Sequence, residues 1–254
     1  MALIHCQFFS EVLQLSTSMT VLLPQQTSTQ IGMENKTLGN KHKTLYLLHG
    51  FSDDDTIWTR RTSIERYVAP LGLAVVMPQV HHSFYTDMKY GNKYWTFLTE
   101  ELPSIARSFF PLSDAREDNF VAGLSMGGYG ALKWALNRPE HISAAASLSG
   151  VTDIVSHSNR QNREGIFKLI FGDDEISGTE HDLFSLIEKT QMNERKPILY
   201  QCCGTEDFLY EDNVRFKKLC EKTNFNLTTD FGLGDHEWGY WDKKIQDVLA
   251  WLPL

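Results

Sequence analysis

The stretch Asn119–Gly130, NFVAGLSMGGYG, decides how the chain is read. Its first six residues make a largely apolar run, the pattern of a strand buried on both faces. Ser125 then enters as the centre of G-x-S-x-G, and Gly127–Asn137 continues at helical spacing until Pro139 stops it. A strand that turns into a helix at one residue needs small neighbours, because the turn is sharp and the two elements come close. Such a turn lifts the Ser125 hydroxyl above the sheet and puts a helix N-terminus beneath it.

The flanking sequence repeats this alternation. Thr44–Leu48, Ala74–Met77, Ala144–Leu148, Ile198–Cys202 and Leu227–Phe231 read as strands. Ser63–Ala69, Tyr94–Phe110, Asp212–Thr223 and Trp241–Trp251 read as helices, with Pro103 expected to kink or split the second. Strands alternating with helices predict an α/β fold with a mostly parallel central sheet and helices on both faces. Leu3–Ser10 and Met19–Leu23 are strand-like without an intervening helix, so an antiparallel N-terminal edge is expected, followed by a polar hairpin or loop over Gln25–Lys43. Residues 150–196 show weak periodicity and predict a small helical insertion over the active site, with the cap-like part at about 150–196. With no repeat or linker in view, 1–254 reads as one domain.

Composition narrows the function. The chain has 254 residues, 42% hydrophobic and 22% charged, as ordinary globular proteins have. A net charge of −8 repels phosphate backbones, so nucleic acid is not an expected partner. Cys6, Cys202, Cys203 and Cys220 form no CxxC pair, so they read as free thiols in a reducing compartment. The N-terminus lacks the basic and apolar regions of a signal peptide, and no run approaches the ~18 apolar residues of a membrane span. A cytoplasmic location is the expectation, with a small-molecule partner and a homo-oligomer left open.

A serine hydroxyl becomes a nucleophile only when a base takes its proton. In this arrangement the order is Ser, acid, His. Of the nine histidines, His141, His157, His181 and His236 follow Ser125, and His236 alone lies after the last predicted strand. It is the expected base. The acid should follow Ile198–Cys202, in Gly204-Thr205-Glu206-Asp207. Asp207 is chosen, with Glu206 the competitor, while Asp235 is too near His236 along the chain to turn onto its ring. The oxyanion needs two donors: the N–H of Met126, directly after the serine, and one from the loop His49-Gly50-Phe51-Ser52, assigned to Phe51. His49 reads as structural. His81-His82 and Asp53-Asp54-Asp55 invite a metal reading, but adjacent strand residues point to opposite faces. Serine acyl transfer needs no metal or cofactor, so none is expected, and the aspartate run reads as a solvated loop near the pocket mouth. Trp238 and Trp241 flank His236 as pocket wall or as helix-start packing.

Together these residues resemble the esterase D branch of the α/β-hydrolases, and within it the small bacterial tributyrin esterases. The similarity runs through Leu45–Gly50, Arg61–Arg66, Val75–Pro78, Phe84–Asp87, Glu100–Pro103, Ala122–Gly130, Asp207–Glu211 and His236–Trp238, nearly the whole chain. The resemblance implies a serine carboxylesterase for short acyl chains, acetyl to butyryl, with Ser125, His236 and Asp207 as triad. S-Formylglutathione hydrolysis, or deacylation of acetylated or hydroxycinnamoylated sugars, is the alternative. Phe51 stands where relatives carry Met or Leu, and Phe84 where Trp is common. Phe84, Tyr85 and Trp238 are the expected substrate-binding residues.

Overall fold

The apolar runs pair into one eight-stranded sheet in the computed structural model, which describes residues 1–37, 39–160 and 163–254. Residue 38 of the 25–43 stretch and residues 161 and 162 of the insertion therefore lie outside the described residues. The strands are β1 (Ala2–Ser10), β2 (Leu15–Leu23), β3 (Thr44–Leu48), β4 (Ala74–Pro78), β5 (Asn119–Leu124), β6 (Ala144–Leu148), β7 (Ile198–Gly204) and β8 (Leu227–Gly232). Their order is β1-β2-β4-β3-β5-β6-β7-β8. Strand β2 pairs antiparallel with both β1 and β4, and every other pairing is parallel. The expected mostly parallel sheet with an antiparallel N-terminal edge is what forms.

Strands β3 to β6 are buried throughout, because helices cover both faces. On one face, Tyr46, Leu48, Val76 and Val121 pack with Leu132 and Trp134 of the helix Met126–Asn137. On the other, Leu45, Leu47, Val75 and Phe120 pack with Trp241, Ile245 and Val248 of the helix Trp238–Trp251. The continuous apolar runs reflect this double burial.

Several boundaries differ from the sequence reading for local reasons. The N-terminal hairpin turns at residues 11–14, and the described part of 25–43 is irregular apart from a bridge at His42. Tyr94–Phe109 runs on as one helical rod with a π-helical segment at Phe97–Glu101 ahead of Pro103. The π segment changes the bonding pattern just before the residue that lacks an N–H, so the proline is absorbed without a break. The last helix begins at Trp238, because the Glu237 carboxylate accepts from the N–H groups of Gly239 and Tyr240. The described residues of 150–196 hold three short helices: Ile154–Ser158, Glu164–Phe171 and Leu183–Thr190.

The turn after β5 joins strand and helix at close quarters. A Cβ on Gly123 would lie 2.4 Å from the Gly127 carbonyl oxygen, and one on Gly127 would lie 2.5 Å from that of Leu48. Both obstacles are backbone and cannot rotate away. Gly127→Ala should therefore lower the unfolding free energy by about 2 kcal/mol or more, as overpacking in a rigid core does. A shift of the urea midpoint checks it, and an unshifted midpoint would refute the close-approach argument.

Candidate active site

Parallel strands carry their C-terminal ends to one edge of the sheet, and ligand sites in such sheets lie outside that edge. Register makes this concrete. Leu48 of β3 aligns with Gly123 of β5, Leu124 with Leu148 of β6, and Gly204 of β7 with Gly232 of β8. The loops holding Phe51, Ser125, Asp207 and His236 all leave from that edge.

Ser125 sits at φ 53° and ψ −115°, a left-handed conformation that a non-glycine residue rarely adopts. Backbone bonds on both sides hold it there. Its N–H donates to Leu148 O at 2.9 Å, and its carbonyl accepts from Tyr129 and Val151. The His236 Nε2 lies 3.1 Å from Ser125 Oγ, and His236 Nδ1 lies 2.8 Å from Asp207 Oδ2. The second Asp207 oxygen accepts the Leu209 N–H at 2.8 Å. Burial raises the pKa of the Asp207 carboxyl. The His236 hydrogen bond and charge, with the Leu209 and Ser149 donors, outweigh that and hold it below its ordinary value. Ser149 is itself fixed by the Trp241 indole N–H, 3.2 Å from its hydroxyl.

The rival acids are elsewhere. Glu206 is exposed, and Asp235 turns back onto the His236 backbone N–H at 2.7 Å rather than onto its ring. His49 is buried, and its ring bonds the Gly50 carbonyl and the Val80 N–H, as a structural residue does. Burial lowers its pKa to about 4, so it is neutral.

A cavity of about 470 Å³ opens over Ser125, lined by Gly50, Phe51, Phe84, Met126, Phe208, His236, Trp238 and Trp241 among others. Phe51 and Met126 thus both border the space in front of Ser125. Among the described residues neither backbone N–H donates a hydrogen bond. Trp238 and Trp241 line the cavity, and Trp238 packs edge-on against Trp58 with centroids 5.3 Å apart. Tyr85 does not reach the cavity: it is fully buried, and its hydroxyl donates to His49 O at 2.8 Å. The aspartate run is not a uniformly solvated loop. Asp53 borders the cavity, Asp54 accepts from Thr56, and Asp55 is buried between the hydroxyls of Ser18 and Thr20. His82 stacks on Phe51 with centroids 4.1 Å apart. Among the described residues no cluster of three His, Cys, Asp or Glu side chains is placed to hold a metal.

The insertion adds residues that spacing did not reveal. His157 and Arg163 line the cavity, the guanidinium of Arg163 lying 4.6 Å from the Phe51 ring centroid. Burial, then the charges of Arg163 and Arg160, lower the His157 pKa to about 4. Phe208 lies beside Asp207 and rests on the His236 ring at 4.6 Å. Its place in Asp207–Glu211 was visible, but its role as a wall was not.

Comparison with known proteins places the chain in a family. The family described as "Putative esterase" matches residues 10–252. An acetyl esterase of Caldicellulosiruptor saccharolyticus is 28% identical over 99% of this chain and 98% of that protein. The substrate-bound structure of the fluorophosphonate-binding serine hydrolase FphF of Staphylococcus aureus superposes with a TM-score of 0.90, at 37% identity over 99% and 98% of the two chains. The S-formylglutathione hydrolase FrmB of the same organism superposes at 0.86, with the same identity and coverage. The chain belongs to this esterase family, on the α/β-hydrolase fold, and is a carboxylic ester hydrolase of the serine esterase type.

Proposed function

We propose that the chain hydrolyses short-chain acyl esters, acetyl to butyryl and tributyrin-like, through an acyl-enzyme on Ser125. The observation that carries this reading is the continuous contact Ser125 Oγ–His236 Nε2–His236 Nδ1–Asp207 Oδ2, at 3.1 and 2.8 Å, on the floor of a cavity of about 470 Å³. Ser125 Oγ attacks the ester carbonyl while His236 takes its proton. Asp207 keeps the proton on Nδ1 and stabilises the imidazolium. The N–H groups of Phe51 and Met126 receive the oxyanion, and the dipole of the helix Met126–Asn137 adds to them. Collapse expels the alcohol, which takes the proton from His236. Water then repeats the sequence in reverse and frees the acid. Phe84 and Trp238 shape the pocket, and its limited, aromatic-walled volume supports a small acyl group.

A second reading, a thioesterase acting on S-formylglutathione, is favoured by the 37% identity to a protein described as such a hydrolase. Sugar deacylation stands behind it. We further read 1–254 as one domain with 150–196 as its cap, acting in the cytoplasm, where four free thiols are stable.

Ser125→Ala should lower kcat on p-nitrophenyl butyrate by about 10⁶-fold and abolish fluorophosphonate labelling while the fold is kept. Turnover at the wild-type rate would sink the assignment. A series of acyl esters from acetyl to octanoyl should peak at or below butyryl; a kcat/KM dominated by S-formylglutathione would select the second reading.

Asp207→Asn should lower kcat by about 10⁴-fold, because the amide favours the wrong His236 tautomer. Asp207 also bears on stability. A carboxyl whose pKa is lower folded than unfolded stabilises the fold above its unfolded pKa, near 4, and loses that contribution as pH falls through the folded value. The unfolding free energy of Asp207→Asn should therefore decline less steeply below about pH 4 than that of the wild type. An unchanged acid limb would contradict the lowered pKa.

A further inference from the structure

Lys133 lies about two turns beyond Ser125 on the same helix and has no part in the chemistry above. It is fully buried, and among the described residues it makes no ion pair. Its ammonium instead donates to Tyr85 O at 2.9 Å and to Thr86 Oγ1 at 2.8 Å, with the Trp95 ring centroid 4.6 Å away. Burial lowers its pKa to about 7, against the pull of Glu180 and Asp87. An amine buried on such terms needs a structural reason.

The segment it grips supplies one. Phe84 and Tyr85 stand at φ 48° and 51°, two consecutive non-glycine residues in the left-handed region. Such a turn persists only where its surroundings over-determine it. The Thr86 hydroxyl donates to Phe84 O at 3.0 Å, the Ser83 hydroxyl accepts the Tyr85 N–H at 3.1 Å, and Lys133 closes the far side. The Tyr85 ring lies against the helix backbone at Gly130, where a Cβ would come within 2.4 Å of it. From there the Tyr85 hydroxyl reaches His49 O, two residues before Phe51. The neutral His49 ring bonds Gly50 O at 2.7 Å and Val80 N at 3.1 Å, so the loop is held from both sides.

We infer that Lys133 and Tyr85 are positioning residues for the Phe51 N–H: they tie the oxyanion loop to the helix that carries Ser125, so that donor and nucleophile keep one spacing. This rests on the reading of Ser125 and the Phe51 N–H given above. Neither residue touches the cavity, and their effect should fall on the transition state rather than on substrate binding.

The test is a double-mutant cycle on the full chain with p-nitrophenyl acetate, using melting temperature to establish folding and Ser125→Ala as control. Tyr85→Phe and Lys133→Met should each lower kcat about 10-fold with KM changed less than about twofold, as a displaced donor would. The double variant should fall within about threefold of the lower single variant, because both act through one path. Unchanged kcat in folded Tyr85→Phe, losses that appear in KM, or losses that multiply in the double variant would overturn the inference. If Lys133→Met does not fold, Tyr85→Phe decides alone by the same criteria. A Ser125→Ala variant with wild-type turnover would instead fault the underlying reading. A Ser125-dependent enzyme indifferent to Tyr85 faults only this inference.

Discussion

The backbone contact between the turn at Ser125 and the neighbouring strand β3 constrains everything around it. Gly127 presses on the Leu48 carbonyl, and Gly123 presses on Gly127 itself. Only that approach lets the chain leave β5 and enter a helix at one residue. Ser125 is forced to a positive φ by the same geometry, and a backbone in that region is held, not preferred. The bonds from Leu148, Tyr129 and Val151 hold it, so β6 and the first helical turn contribute directly to where the hydroxyl points.

From that fixed point the remaining groups follow from sheet direction. Because β3 and β5 to β8 run parallel, five loops leave one edge, and residues 49 to 51, 125, 149, 207 and 236 meet there despite their separation in sequence. The carboxylate of Asp207 is buried and carries three kinds of donor, which is how a charge is kept inside the protein. The wall is aromatic: Phe51, Phe84, Phe208, Trp238 and Trp241 surround the polar line. Charges inside such a wall act over a lower dielectric than at the surface.

Tyr85 shows how a neighbouring position can change role entirely. Phe84 and Tyr85 are adjacent and both aromatic, and both were expected against the substrate. In the left-handed turn they share, Phe84 lines the cavity while Tyr85 goes under the loop to His49. Alternation along a strand could not have told them apart, because the segment is not a strand.

The sequence by itself determined the order of strands and helices, the turn at Ser125, and the pairing of that serine with His236 and Asp207 as candidates. Those features are local, or follow from chain order: apolar runs, G-x-S-x-G, a loop after each strand. It also placed Phe51 in the loop after β3 and Met126 at the start of the helix that follows Ser125. It was less informative about the hairpin, the π segment before Pro103 and the start of the last helix, where side-chain caps and hydrogen-bond register shift a boundary by a few residues. Tertiary structure alone decided that Asp207 and not Glu206 faces the imidazole, because the direction of a loop carboxylate depends on the fold of both loops. It alone brought His157 and Arg163 from a weakly periodic insertion to the cavity, and Lys133 from an ordinary helix to the left-handed turn at Tyr85 and Thr86. Contacts of that kind join residues tens of positions apart through packing, and packing leaves no periodic trace in the chain.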